Sequence, residues 1–100
     1  MRFNHSDVIG EIDNLPGCSQ VAVFHSVFVP EDERGKGKGK KAHDLRLVEA
    51  RHLGYDTCIC TVDMNNKAQL AILNEFDWVM CGKFKSTKTG HQVAIFMRNL

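Results

Sequence analysis

Charge of one sign is what this chain most clearly lacks. Lys and Arg number 13 and Asp and Glu 12, a formal balance of +1 at neutral pH, so no global field draws the chain to nucleic acid or to an anionic membrane. Long apolar runs are missing too. The longest, residues 21–29, is interrupted by His25 and Ser26 and falls far short of the ~20 residues that cross a bilayer. The four cysteines, Cys18, Cys58, Cys60 and Cys81, have no CxxC spacing and follow no secretory leader. Reduced thiols, a cytoplasmic location and no metal site are therefore expected. With 43% hydrophobic and 25% charged residues among 100, the chain can bury one modest core, and residues 1–100 read as a single domain.

The residues that are present carry two periods. In residues 6–15, Val8, Ile9, Ile12 and Leu15 fall at helical spacing behind Ser6, and Pro16-Gly17 stops the run; this predicts a short amphipathic helix weakened by Gly10. Residues 19–29 are rich in β-branched and aromatic side chains and predict a well-buried strand ended by Pro30. Ala42, Leu45, Leu47, Val48, Ala50 and Leu53 make the best helical stripe in the chain, closed by Gly54. Residues 57–62 alternate as a second strand, so strand, loop, helix and strand follow in the order of a right-handed parallel crossover. Ala68, Leu70, Ala71, Leu73 and Phe76 predict another helix, with Asp77 as its left-handed terminator. Residues 78–84 and 92–97 are strand-like around a polar turn that ends in Gly90, which predicts a terminal antiparallel hairpin. The fold class is α/β (α+β), a mixed sheet with one crossover and a C-terminal β-hairpin.

The chemistry concentrates where the first of these strands gives way to glycine and lysine. A strand running through a glycine-rich loop into a helix gathers backbone N–H groups and the positive helix end around one point, a ready phosphate site. The segment Arg34, Gly35, Lys36, Gly37, Lys38, Gly39, Lys40 has no Ser or Thr after its lysines, which excludes a Walker A loop. Its glycines are spaced two and two, which excludes the dinucleotide fingerprint. It matches the Arg/Gln-x-x-Gly-x-Gly/Ala pattern of the GNAT family of N-acetyltransferases. With the preceding residues 27–33, the long helix, the 55–62 strand, Asn65-Asn66 opening a helix, and Asp77-Trp78 before a hairpin, residues 20–100 resemble a compact member of that family with a shortened N-terminal half.

The resemblance implies an acyl-CoA N-acyltransferase fold and transfer of acetyl from acetyl-CoA to an amine, on a protein lysine or N-terminus, by direct attack in a ternary complex. It implies that the backbone of Phe28 and Val29 pairs with the pantetheine arm, that amides from Arg34 to Lys40 hold the pyrophosphate, and that Asn65 or Asn66 contacts the pantetheine. Lys36, Lys38, Lys40 and Lys41 would add favourable charge there. The sequence also departs from the family. The usual tyrosine acid falls at Ile72 or Leu73, and the strand of residues 19–29 carries no carboxylate base, which leaves His25, on one face with Val23, as the substitute. The short N-terminal half leaves the acceptor side open or completed by a second copy. Asp63, Ser26, Cys81 and His91 are further polar candidates that spacing does not rank, while Cys58, Cys60, Phe76 and Trp78 read as packing. Two other function classes stay open: a coenzyme-binding module without catalysis, and a nucleic-acid contact through the five basic residues of 34–41, against which Glu31-Asp32-Glu33 and the near-neutral total argue.

Overall fold

The computed structural model describes residues 1–5, 8–28 and 37–100, with backbone alone for 5 and 26–28. Eight elements follow in order: β1 (Arg2–His5), β2 (Val8–Leu15), β3 (Cys18–Phe28), α1 (Lys38–His52), β4 (Thr57–Asp63), α2 (Lys67–Glu75), β5 (Val79–Lys85) and β6 (Gln92–Asn99). The strands form one six-stranded sheet in the order β1-β2-β3-β4-β6-β5. Every described pairing is antiparallel except β3 with β4, the crossover through α1.

Alternation places the core. Val8, Ile12, Ala22, Phe24, Cys58, Cys60, Val62, Ala94 and Phe96 are buried and share one face of the sheet by the period of two. Leu47 and Ala50 of α1 and Leu73 of α2 join the same cluster, so both helices lie on that face. Asp77 does take the left-handed conformation, φ 64°, where the chain leaves α2 for the terminal hairpin.

Residues 8–15 form a strand, not the expected helix. Val8, Gly10 and Ile12 point to the core while Ile9 and Glu11 are half-covered, an alternation that the bare Gly10 conceals from a reading of side chains. Pro16-Gly17 is the two-residue connection of the β2–β3 hairpin, with Gly17 at φ 78°, the positive angle that such a turn demands of its second residue. The glycine at position 10 has its own cause: a Cβ there would sit 2.9 Å from Cζ of Arg46.

Arg46 reaches from α1 to this point and is only 3% exposed. Its Nη2 donates to the carbonyl of Glu11 on β2 and, at 2.9 Å, to the carbonyl of His25 on β3. Its guanidinium carbon lies 4.4 Å from the centroid of Phe24, a cation–π geometry. The strands need this help, because the register moves from Ile9↔Phe28 to Glu11↔His25, so β3 carries one residue more than β2 between those pairs. Burial pulls Arg46 down to about 10, so it stays charged at neutral pH.

Aromatic packing fixes α1 one turn earlier, at His43. Trp78 Nε1 donates to Nε2 of His43 at 2.9 Å, and Phe24 meets the Trp78 ring edge-on with centroids 5.7 Å apart. Both residues are buried, His43 at 5% exposure, and burial holds its imidazole down at about 4.

Two stability measurements follow. Arg46→Met leaves two carbonyls at the bulge without their donor and is expected to cost about 2 kcal/mol in urea unfolding. Gly10→Ala is expected to cost about 1–3 kcal/mol by overpacking in the native background and clearly less beside Arg46→Met; additive effects would contradict the contact. For His43, the unfolded imidazole takes a proton below about 6.5 while the folded one resists until about 4. The unfolded state therefore binds more protons across that window, and stability falls as pH drops from 6.5 towards 4. His43→Gln, which keeps an acceptor for Trp78, should flatten this part of the profile.

Candidate coenzyme and acyl-transfer site

The site begins where a ladder stops. β3 and β4 pair in parallel from Val21↔Thr57 to Phe24↔Cys60 and no further among the described residues. Yet β3 runs on to Phe28 along β2, and β4 runs on to Asp63 along β6, to the pair Asp63↔Val93. Beyond Phe24 and Cys60 the two strands thus present main-chain groups to each other without joining, and such groups seek partners. A cavity of about 930 Å³ opens at this divide, lined from β3 by Phe24 and His25 and from β4 by Cys60, Thr61, Val62 and Asp63.

The helices close the cavity on the core side. Gly37, Gly39 and Lys40 reach it from the start of α1, and Asn66, Gln69 and Ile72 from α2. Gly37 is the N-cap of α1 at φ 76°, with no side-chain cap and no acidic residue in the first turn. That helix end offers its amides and its positive dipole to an anion. Lys40 Nζ forms an ion pair with Glu75 at 2.8 Å, so part of its charge is spent on joining α1 to α2. The two residues that close the sequence motif into the helix, Lys38 and Gly39, are already helical.

Among the residues expected at the site, His25, Gly37, Gly39, Lys40 and Asn66 border this one cavity. Asn66 also caps α2, its Oδ1 accepting from Gln69 N at 3.1 Å. Asn65 does not line the cavity; its amide donates to Asp63 Oδ1 at 2.8 Å. The backbone of Phe28 pairs with Ile9. Val29, Arg34, Gly35 and Lys36 lie outside the described residues.

Two carboxylate–imidazole pairs flank the divide. His25 Nε2 is 2.6 Å from Asp13 Oδ2. The hydrogen bond from His25, then that from the chain's amino group, hold the Asp13 carboxyl below the usual range. On the other side, His91 Nδ1 is 2.8 Å from Asp63 Oδ2, and the Asn65 amide, then His91, lower the Asp63 carboxyl. On the helix expected for residues 6–15, Asp13 has no reason to meet His25. As a strand, β2 sets Asp13 opposite Val23 and Glu11 opposite His25, which places Asp13 on the His25 face. His91 and Asp63 were each visible as polar positions; the pairing of β4 with β6 brings them together.

The cysteines offer no nucleophile here. Burial pushes the thiols of Cys58 and Cys60 up to about 12, so both are neutral packing groups at neutral pH. Among the described residues there is no group of three His, Cys, Asp or Glu side chains arranged for a metal ion, and no helix is long and apolar enough to cross a membrane.

Known proteins share this fold. The chain is 30% identical over 67 residues to the L-amino acid N-acyltransferase MnaT of Escherichia coli, covering 67% of this chain and 39% of that protein. The yncA protein of Salmonella typhimurium, solved with its cofactor acetyl-CoA, superposes with a TM-score of 0.80 at 16% identity over 92% of this chain and 57% of the other. An Escherichia coli N-acetyltransferase of a ribosomal-protein alanine does so with a TM-score of 0.78 at 14% identity, over 92% and 60% of the two chains. The present chain thus spans roughly two fifths to three fifths of these relatives' length. Residues 5–77, which hold the divide between β3 and β4 and the start of α1, match the family model described as Acetyltransferase (GNAT) family, and the chain belongs to that family.

Proposed function

We propose that this chain carries the coenzyme site of an acetyl-CoA-dependent N-acetyltransferase, which passes acetyl to a primary amine by direct attack in a ternary complex. The observation that carries the reading is the early end of the β3–β4 ladder at Phe24↔Cys60 beside a bare helix N-terminus at Gly37. An extended amide-bearing chain fits between two strands that expose main-chain donors and acceptors. A pyrophosphate fits the uncapped start of α1. Acetyl-CoA, when bound, supplies the activated thioester.

The residues of the chain do the rest. The backbone of Phe28 and Val29 is assigned to the pantetheine arm. The amides of Arg34, Gly35, Lys36, Gly37, Lys38, Gly39 and Lys40 are assigned to the pyrophosphate, and Asn66, with Asn65 behind it, to the edge of the arm. A backbone N–H left open at the divide would polarise the thioester carbonyl. His25, oriented by Asp13 at 2.6 Å, takes a proton from the incoming ammonium. The acceptor is an amine of an amino acid, free or within a protein as an N-terminus or lysine. Support comes from the names of the relatives, one an L-amino acid N-acyltransferase and one an alanine N-acetyltransferase.

Calorimetric titration with acetyl-CoA tests the coenzyme site. Gly37→Asn and Gly37→Asp both tolerate the left-handed cap better than other residues, but only the aspartate sets a negative charge where the phosphates are assigned. Binding should survive in the first and fall by tenfold or more in the second, roughly 1.4 kcal/mol. Equal affinity in the two variants would contradict the site. His25→Gln is expected to leave coenzyme affinity intact and to lower kcat by about 10²-fold; an unchanged kcat would remove His25 from the mechanism.

A further inference from the structure

The mechanism above gives no task to the Asp63–His91 pair, whose carboxylate lines the cavity. Its construction is unusually complete for a turn. Asp63 ends β4 and lines the cavity. Its Oδ1 accepts from the Asn65 amide at 2.8 Å and its Oδ2 faces His91 Nδ1 at 2.8 Å. His91 is held by its main chain as well: its amide donates to Thr89 Oγ1 at 3.1 Å and its carbonyl accepts from the Ser86 amide at 2.9 Å. The neighbouring Gln92 carbonyl accepts from the Met64 amide at 2.9 Å, which locks the start of β6 to the end of β4. The imidazole thus has Nδ1 committed to a carboxylate that lines the cavity, and Nε2 is its other proton-carrying nitrogen.

Position adds to the argument. Thr57, Ile59, Thr61 and Asp63 share one face of β4, and by the β3–β4 register that is the face of Val21, Val23 and His25. Asp63, the carboxylate that holds His91, therefore stands on the same side of the sheet as His25. Acyl transfer to an ammonium needs three proton movements. One proton must leave the nitrogen before attack, a second must leave it as the amide forms, and the departing sulfur must gain one. A single histidine at His25 answers only the first.

We propose that His91 is the proton donor to the leaving sulfur and that Asp63 is its positioning residue; this rests on the acetyltransferase reading of the same cavity. His25 takes one proton from the ammonium. The amine nitrogen then forms its bond to the acetyl carbonyl carbon, and the carbon–sulfur bond breaks with the electron pair going to sulfur. His91 delivers the proton from Nε2 to that sulfur and regains one from the nitrogen that has become the amide. The proton held by His25 goes to solvent, so one proton is released per transfer.

The test compares wild type, His91→Ala and Asp63→Asn. Calorimetry measures acetyl-CoA binding. Thiol release is followed with L-leucine, with a tetrapeptide bearing a free N-terminus, and with water alone as acceptor, so that a turnover rate exists in every case. His91 is 47% exposed, and its removal leaves the core untouched. Coenzyme affinity should stay within about twofold, while kcat falls by about 10²-fold in His91→Ala with the amine KM little changed, and imidazole added to the buffer restores part of the loss. Asp63→Asn should lower kcat by about tenfold. In coenzyme-free protein, ¹⁵N NMR of the His91 ring should find the proton on Nδ1 in the neutral form, a bias that Asp63→Asn erases. A His91→Ala kcat within about threefold of wild type, or a loss that imidazole does not touch, overturns the assignment. Absence of acetyl-CoA binding by the wild type would instead sink the coenzyme reading beneath it.

Discussion

A single buried cation organises this molecule. Arg46 leaves α1, crosses the core over the ring of Phe24 and closes on the carbonyls of Glu11 and His25, one from each strand at the β2–β3 irregularity. Among the described residues no carboxylate forms an ion pair with this guanidinium, and such a group is expensive to bury. Among the described residues its Nε has no hydrogen-bond partner at all. The arrangement persists because carbonyl dipoles and the π face share the charge, and because Gly10 vacates the space that a side chain would take. Its consequence is directional: β3 is fastened to β2 and α1 at His25, one residue past the last rung it shares with β4.

From that fastening the functional architecture follows. Once β3 is drawn towards β2 and β4 is held by β6 as far as Asp63, the parallel ladder has to open, and the opening is a slot with peptide groups on both walls. α1 starts beside the slot with an uncapped N-terminus, so the features that suit an extended arm and those that suit an anion are adjacent. His25 from β3 and Asp63 from β4 border the same slot, each held by its partner in a carboxylate–imidazole pair. On the core side of the cavity the Cys60 thiol is protonated and His43 is uncharged at neutral pH, while Arg46 keeps its charge.

The sequence made most of the scaffold legible for physical reasons. The stripe of α1 and the alternation of β4 are strong periods with clear stops, and Asp77 and Gly54 mark ends by their backbone angles. The glycine spacing of residues 34–39 separated one phosphate loop from two others without any structure. Residues 8–15 misled because Gly10 removes a side chain from the core face, and the remaining apolar positions happen to fit a 3.6-residue period. Its cause, a guanidinium arriving from a residue 36 positions later, has no local signal. The same error hid the partner of His25, since Asp13 faces it only across a strand pair. His91 could be noticed but not ranked, because its link to Asp63 is made by the pairing of β4 with β6. Arg46 itself looked like any charge on a helix; only the register change opposite Gly10 explains why it points inward.

The account turns on the claim that an acyl-coenzyme arm lies between β3 and β4. Backbone amide hydrogen exchange with and without saturating acetyl-CoA reads this most directly. The account predicts slowed exchange at residues 25–28 and 61–63 and at the first turn of α1, with the shared rungs from Val21 to Phe24 little altered. Protection confined to the β5–β6 hairpin, or no change along the divide despite binding, would contradict it.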